Sequence, residues 1–287
     1  AELMSKLSIT IITPNLNGGQ FLEACIRSVK NQGYGNLRHI VIDGGSTDNS
    51  IQLLENNKTE YEIVEGLNNY EAIHYGFQKY PSDIQAWLNS DDLYREGAIK
   101  TVMDVFEKFS EISWLSGTPS ISNEQGVIRI WDSHLFPSIS KYTWTLSSNV
   151  FIQQESTFWR KELYEKVGGL STNYRYANDY DLWFRFFEYE QLYAVSQVLA
   201  SFRMHSTGQL SVANKNKYMQ EVSDIQAQLG FSFFRRIIIK SIMAMDYILI
   251  RIPVIRSSYD RSRFRQKFLG FPVRLRFDDS DQLTKGN

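Results

Sequence analysis

Residues 84–88 form an apolar run that leads directly into two adjacent carboxylates, Asn89-Ser90-Asp91-Asp92. The run reads as a short buried strand. In an open α/β sheet, ligands sit beyond the carboxyl ends of the strands. Two neighbouring carboxylates repel each other unless a cation lies between them and something anionic. A hard divalent ion on a diphosphate suits that position. The plainer reading is an acidic turn ahead of the next helix. Three more residues stand where chemistry is done. Asp43 ends a second apolar run and opens Asp43-Gly44-Gly45-Ser46-Thr47-Asp48; Asp179 begins a helical pattern; His205 follows a late strand. Each has a structural counterpart reading: a turn aspartate bonded to its own backbone, a helix cap and a packed histidine.

The elements that must carry these residues alternate regularly. Residues 7–12, 37–42, 61–64 and 84–88 have strand patterns, and 20–32, 48–56 and 70–80 have helical apolar spacing. Ser46 or Thr47 is expected to cap the second helix. A β-α-β-α-β-α-β order implies parallel strands with right-handed crossovers. An amphipathic helix over 95–109 follows, then strands at 112–115, 127–131 and 156–159, and a helix over 161–167 ended by Gly168-Gly169. Helices over 179–189 and 213–229 flank a strand at 199–204. The pattern over 132–148 is weak.

The chain has 287 residues, enough for one large domain or a domain plus an extension. Its net charge of -1 excludes nucleic-acid binding by bulk charge. The 14% aromatic content suits sugar-handling clefts and large cores alike. Cys25 is the single cysteine and lies on the apolar side of the first helix with Phe21, Leu22, Ile26 and Val29, so a buried structural thiol is expected. One cysteine, no signal-peptide pattern and no stretch long enough to span a bilayer lead to a cytoplasmic expectation.

The composition shifts near Phe231, so the chain divides into residues 1–230 and a basic, helical extension over 231–287. Arg236, Lys240 and Arg251 fall on one narrow side of a helix whose remainder is apolar. Such a stripe marks an interfacial helix on an anionic membrane, here the inner face. The competing expectation is a helix packed on the main domain with a solvated basic edge.

Four motifs in order resemble family 2 glycosyltransferases of the type that builds bacterial polysaccharides: Ile11-Ile12-Thr13-Pro14-Asn15-Leu16-Asn17, Ile42-Asp43-Gly44-Gly45-Ser46-Thr47-Asp48, Asn89-Ser90-Asp91-Asp92, and Tyr176-Ala177-Asn178-Asp179-Tyr180-Asp181-Leu182-Trp183. The resemblance spans about residues 7–211. It implies the GT-A, or nucleotide-diphospho-sugar transferase, fold: α/β, with a mainly parallel central sheet flanked by helices. It also implies a metal-dependent, inverting transfer of a hexosyl or N-acetylhexosaminyl group. The donor would be a nucleotide sugar, UDP-linked, and the acceptor a saccharide or lipid-linked saccharide hydroxyl. On that resemblance Thr13, Pro14, Asn15 and Asn17 lie against the nucleotide, and Asp43 accepts a hydrogen bond from uracil. Glu71 is near the nucleotide or donor sugar, and Asp91 contacts ribose. Asp92 and His205 hold a divalent ion, Mn²⁺ or Mg²⁺, on the diphosphate. Asp179 is the general base, with Asn178 where relatives have Glu and Gly44 where many have a second acid. Gln154, Glu155, Asp181 and Trp183 belong to the acceptor side.

Two other function classes use a related fold. A nicotinamide-dependent dehydrogenase needs a Gly-x-Gly-x-x-Gly turn after the first strand, and Thr13-Pro14-Asn15 stands there instead. A catalytically silent nucleotide-sugar or saccharide-binding module would keep the same fold.

Overall fold

The computed structural model describes residues 7–130, 140–146, 152–205, 214–228, 233–249, 251–254, 263–267, 269–277 and 283–285. His134 and the Ser206–Ser211 run expected to follow His205 lie outside the described residues. In chain order the first half contains β1 (Ile9–Asn15), α1 (Gly19–Lys30), β2 (Leu37–Asp43), α2 (Ser50–Asn56), β3 (Glu60–Ile63), α3 (Asn69–Lys79), β4 (Ile84–Trp87), β5 (Leu93–Tyr94) and α4 (Ala98–Lys108). Then come β6 (Trp114–Ser116), β7 (Ser120–Ser122), β8 (Ile128–Ile130), α5 (Lys141–Leu146), β9 (Thr157–Arg160), α6 (Lys161–Lys166), α7 (Asn178–Tyr189), β10 (Tyr193–Val195) and β11 (Ala200–Arg203). Helices Lys215–Ala227, Phe233–Leu249 and Arg263–Lys267 precede β12 (Val273–Phe277) and β13 (Leu283–Lys285).

Among the described residues the central sheet runs β13-β12-β10-β6-β9-β4-β1-β2-β3. It is mixed and mainly parallel. β4, β1, β2 and β3 are parallel neighbours, β6, β10 and β12 likewise, and β9 enters antiparallel between β4 and β6. A second, four-stranded sheet has the order β5-β11-β7-β8. β1 is buried throughout because helices cover both faces of the sheet, so that even its polar members Thr10, Thr13 and Asn15 are enclosed. Its register sets Asn15 beside Asp43 at the carboxyl ends of β1 and β2.

Five pieces escaped the sequence patterns: β5, β7, β10, β12 and β13. Each has five residues or fewer. β12 and β13 carry a further consequence. The segment beyond residue 230 is not only an appended tail, since β12 pairs with β10 and extends the central sheet. Asp48, rather than Ser46 or Thr47, takes the first N–H of α2: its Oδ1 accepts from Ser50 N at 2.9 Å.

Five large aromatic side chains fix α7 to the sheet. Trp183 stacks on Trp87 (5.9 Å, 10°) and Trp114 (5.7 Å, 22°) and meets Trp159 edge-on (5.6 Å) and Phe186 tilted (5.5 Å). All five are buried. Trp183 is therefore a core residue, and the acceptor-side expectation for it is corrected. It lies one turn beyond Asp179 on the same side of α7 and packs into the sheet. Truncating such a buried aromatic side chain costs about 3–5 kcal/mol.

Glycine matters where α3 crosses β1. A Cβ on Gly76 would stand 2.7 Å from Ile12 Cδ1. Gly76→Ala is expected to destabilise the fold by about 1–3 kcal/mol through overpacking, read as a lower midpoint in denaturant melts. An unchanged midpoint would show that α3 does not rest directly on β1.

Candidate active site

The carboxyl ends of β1, β2 and β4 open into one cleft of about 710 Å³. Pro14, Asn15, Leu16, Asn17 and Gly18 line it from the first loop, Asn68–Tyr70 from the start of α3, and Asn89–Asp91 from the loop after β4. Arg175 and Tyr176 close the side toward α7, and Phe202 and His205 come from the second sheet. Gly18 permits this convergence: a Cβ there would stand 2.3 Å from Asn15 Oδ1 and 2.8 Å from Ser90 Oγ.

The pair that faces the cleft is Asp91 and His205. His205 Nε2 lies 2.9 Å from Asp91 Oδ2, and the Asp91 side chain keeps 27% of its exposure. The His205 ring rests against Phe21 at 4.5 Å. Asp92 points the other way. It is fully buried and accepts Arg203 N (2.8 Å) and Asn89 Nδ2 (3.1 Å). Its remaining partner is the buried carboxyl of Glu155. Burial, then the charges of Glu155 and Asp91, push Asp92 well above the usual carboxylate range. Burial pushes Glu155 up to about 7. Two buried carboxyls so close to each other disfavour ionisation of both at once. Asp91, not Asp92, is the carboxylate that stands beside His205 on the cleft, and Asp92 is turned into the protein.

A carboxylate oxygen and an imidazole nitrogen side by side form a donor set that Mn²⁺ accepts. Among the described residues no group of three or more His, Cys, Asp or Glu is placed to hold a metal. An ion here would complete its coordination from ligand oxygens and water, as expected for a cation that bridges protein and diphosphate. Two orphaned oxygens also await a ligand. Asn15 Oδ1 and Asn89 Oδ1 line the cleft buried and without a hydrogen-bond partner, an arrangement that costs roughly 1–3 kcal/mol each.

Most of the other acidic candidates are occupied by the protein. Asp43 is 0% exposed. Its carboxylate accepts Gly45 N (3.0 Å), Ser46 N (2.7 Å), Ser46 Oγ (2.7 Å) and Asn15 Nδ2 (2.7 Å). As placed, it shapes the turn and orients Asn15 and does not reach the cleft. Thr13 is buried against His39 Nε2 at 2.9 Å. Glu71 Oε2 accepts Asn68 N while Asn68 Oδ1 accepts Glu71 N, a capping box that starts α3. Gln154 is buried and donates to Trp87 O at 2.5 Å. Asp181 takes two bonds from Arg185 (2.9 and 2.6 Å), whose Nη1 donates to Val167 O and Gly169 O. Gln154, Glu155 and Asp181 are therefore supports beneath the surface rather than acceptor contacts. Asn17 both lines the cleft and receives Thr47 N at 2.8 Å, at φ 53°, a left-handed conformation that Asn tolerates.

Asp179 sits in the first turn of α7 beside the cleft. Burial raises its carboxyl to about 6, against the opposing pull of backbone N–H groups and the Tyr70 hydroxyl, which lies 3.4 Å from Oδ1. Part of its surface stays accessible while the carboxylate sits deep among protein atoms. The helix cap is Ala177, with no side-chain bond, so Asp179 is not spent on capping. Asn178, in place of the expected Glu, bonds Ser171 O, Ser171 N and Tyr174 O. It ties the preceding loop and takes no part in the cleft.

Three side chains carry the site that sequence patterns did not single out. Glu221, from helix Lys215–Ala227, accepts the N–H groups of Arg175, Tyr176 and Ala177 at 2.8–3.0 Å. Arg203 is buried and donates to Asp91 O (2.7 Å) and Glu124 O (2.9 Å) while its guanidinium covers the Phe21 ring. Arg175 brings a positive charge to the cleft. Only Arg203 left a trace: a charge inside an apolar strand pattern needs a buried partner.

The sequence model of the family described as Glycosyl transferase family 2 matches residues 10–168. An uncharacterized glycosyltransferase of Rickettsia conorii is 25% identical over 218 residues, covering 73% of this chain and 36% of that protein. The chain spans from about a third to just under two thirds of the length of the first such relatives. Among solved structures, Staphylococcus aureus TarS 1-349 in complex with UDP-GlcNAc superposes with a TM-score of 0.57 at 12% identity, covering 98% of this chain and 97% of that one. Glucosyl-3-phosphoglycerate synthase from Mycobacterium tuberculosis, bound to Mn²⁺, UDP and glucosyl-3-phosphoglycerate, gives 0.56 at 15%, covering 77% and 78%. These likenesses carry the fold.

Arg203→Met is expected to destabilise the protein by about 3 kcal/mol, because it strips two partly buried carbonyls of a charged donor at once. Thermal melts check this; a midpoint equal to that of the unaltered chain would remove Arg203 from the frame of the site.

Proposed function

The chain belongs to glycosyl transferase family 2, and from that membership and the cleft we propose that it transfers a sugar from a nucleotide sugar to an acceptor hydroxyl with inversion. The donor is UDP-linked and the transferred group a hexosyl or N-acetylhexosaminyl unit; the acceptor is a saccharide or lipid-linked saccharide. The observation that carries the reading is that Tyr70 joins two chemistries. It lines the cleft shared with Asp91 and His205, and its hydroxyl touches Asp179.

The loop Pro14–Gly18 and the start of α3 form the wall for the nucleotide. Asn15 Oδ1 offers an acceptor to a base or ribose donor in the place first assigned to Asp43. Asp91 and His205 would hold Mn²⁺ or Mg²⁺, which when bound neutralises charge on the leaving diphosphate. Arg175 adds a cation on the same side. Asp179 takes the proton of the acceptor oxygen as it attacks the anomeric carbon. Attack opposite the nucleotide inverts the configuration. The ionised form is needed, so the carboxyl raised to about 6 gives a rate that climbs with pH and levels above that value.

Donor turnover with candidate saccharide acceptors tests the proposal. Asp179→Asn is expected to lower kcat by about 10²–10⁴-fold while leaving UDP affinity unchanged. The same variant lacks the buried charge and should melt no lower than the unaltered chain at pH 7 and above. Wild-type turnover from it would remove Asp179 as base. Asp91→Ala and His205→Ala are each expected to weaken Mn²⁺ binding in the presence of UDP, by about 10-fold or more. Calorimetry reads this directly. Sugar-nucleotide binding without any turnover would favour a catalytically silent binding module on the same cleft.

A further inference from the structure

The helix Phe233–Leu249 turns an apolar face outward. Its buried side is narrow and made of Ile239 and Asp246, with Asp246 neutralised by Arg265 at 2.8 Å. Met243 meets Ser140 at 3.7 Å, next to α5. At 3.6 residues per turn, Ile237, Ile238, Met245 and Ile248 fall on a different face about 100° wide. They are 45%, 58%, 51% and 61% exposed. Ile252 and Val254 (89% exposed) continue beyond its end. Nothing among the described residues covers this face. A soluble surface helix normally shows the opposite arrangement, polar outward and apolar inward.

Charge says what fits there. Arg236 and Lys240 line one flank, exposed, and Arg251 follows with its guanidinium over the Tyr247 ring at 3.3 Å. Residues 233–254 contain a single acid, Asp246, and it is buried in its ion pair. The exposed face therefore carries positive charge and no negative charge. A second copy of the chain would bring the same cations to the interface with no acid to pair them. Among the described residues no helix is long and apolar enough to cross a membrane. We propose that this face lies on an anionic lipid surface, with the isoleucines and Met245 in the acyl boundary and the basic flank among the headgroups.

The placement connects to the site. The helix rests on the segment that opens α5, and Trp144 of α5 stacks on Tyr180 at 4.4 Å. Tyr180 follows Asp179 directly. A lipid-docked helix would thus be joined through one short helix to the element carrying the general base. Docking itself does not depend on glycosyl transfer, so each can fail alone.

The test uses the full chain and sedimentation with vesicles of phosphatidylcholine, with or without phosphatidylglycerol. Binding is expected only to the anionic vesicles and should weaken with added salt. The double variant Ile237→Asp/Ile248→Asp should lower binding by about 10-fold or more. Arg236→Glu/Lys240→Glu should abolish the preference for anionic lipid. Both pairs are exposed, so melting midpoints should hold and serve as the folding control. Equal sedimentation with neutral vesicles, or undiminished binding by both variants, overturns the proposal. So does light scattering that shows a dimer made monomeric by Ile237→Asp/Ile248→Asp, which would give the face to a second copy.

Discussion

A carboxylate withdrawn from water must be given a proton, N–H donors or a cation, and that constraint sorts every acidic side chain around the cleft. Asp43 takes turn N–H groups and the Asn15 amide. Asp92 takes the N–H of Arg203 and the Asn89 amide beside the buried carboxyl of Glu155. Asp181 takes Arg185, and Glu221 takes three backbone N–H groups. Asp91 remains on the cleft beside His205, and Asp179 lies behind Tyr70. The acids already satisfied build the frame of the cleft.

The frame is stiff because its parts are apolar and large. The tryptophan stack binds α7 to β4, β6 and β9, so Asp179 is presented by an element with little freedom to move. On the other side Arg203 joins β11 to the loop after β4. His205, just after β11, and Asp91, in the loop after β4, thereby meet at hydrogen-bond distance. A carboxylate in so enclosed a position has a raised pKa and costs stability when ionised.

The segment after residue 230 combines two behaviours that looked exclusive. One side of its long helix is buried through Ile239 and Asp246, and β12 extends the central sheet. The other side stays apolar and exposed beside basic residues. Packing on the domain and an outward apolar face occupy different arcs of one helix, so neither displaces the other.

The order of elements, the parallel half of the sheet and the identity of the motif residues were legible in the sequence. They rest on local periodicity: the runs at β1, β2 and β4 are long enough to declare themselves. Asp179 at a helix start and His205 after a strand were legible for the same reason. Side-chain direction was not. Whether Asp91 or Asp92 faces the cleft turns on one residue of loop geometry and on Arg203, more than 100 positions away. Asp43, Glu71, Gln154, Glu155, Asp181 and Trp183 have types that suit ligand contact, yet each is taken by a partner that only the folded chain brings near. Sequence determines which groups are present and on which elements; tertiary structure decides which of them the protein itself consumes, because hydrogen bonds and ion pairs between distant segments exist only after the chain has closed on itself.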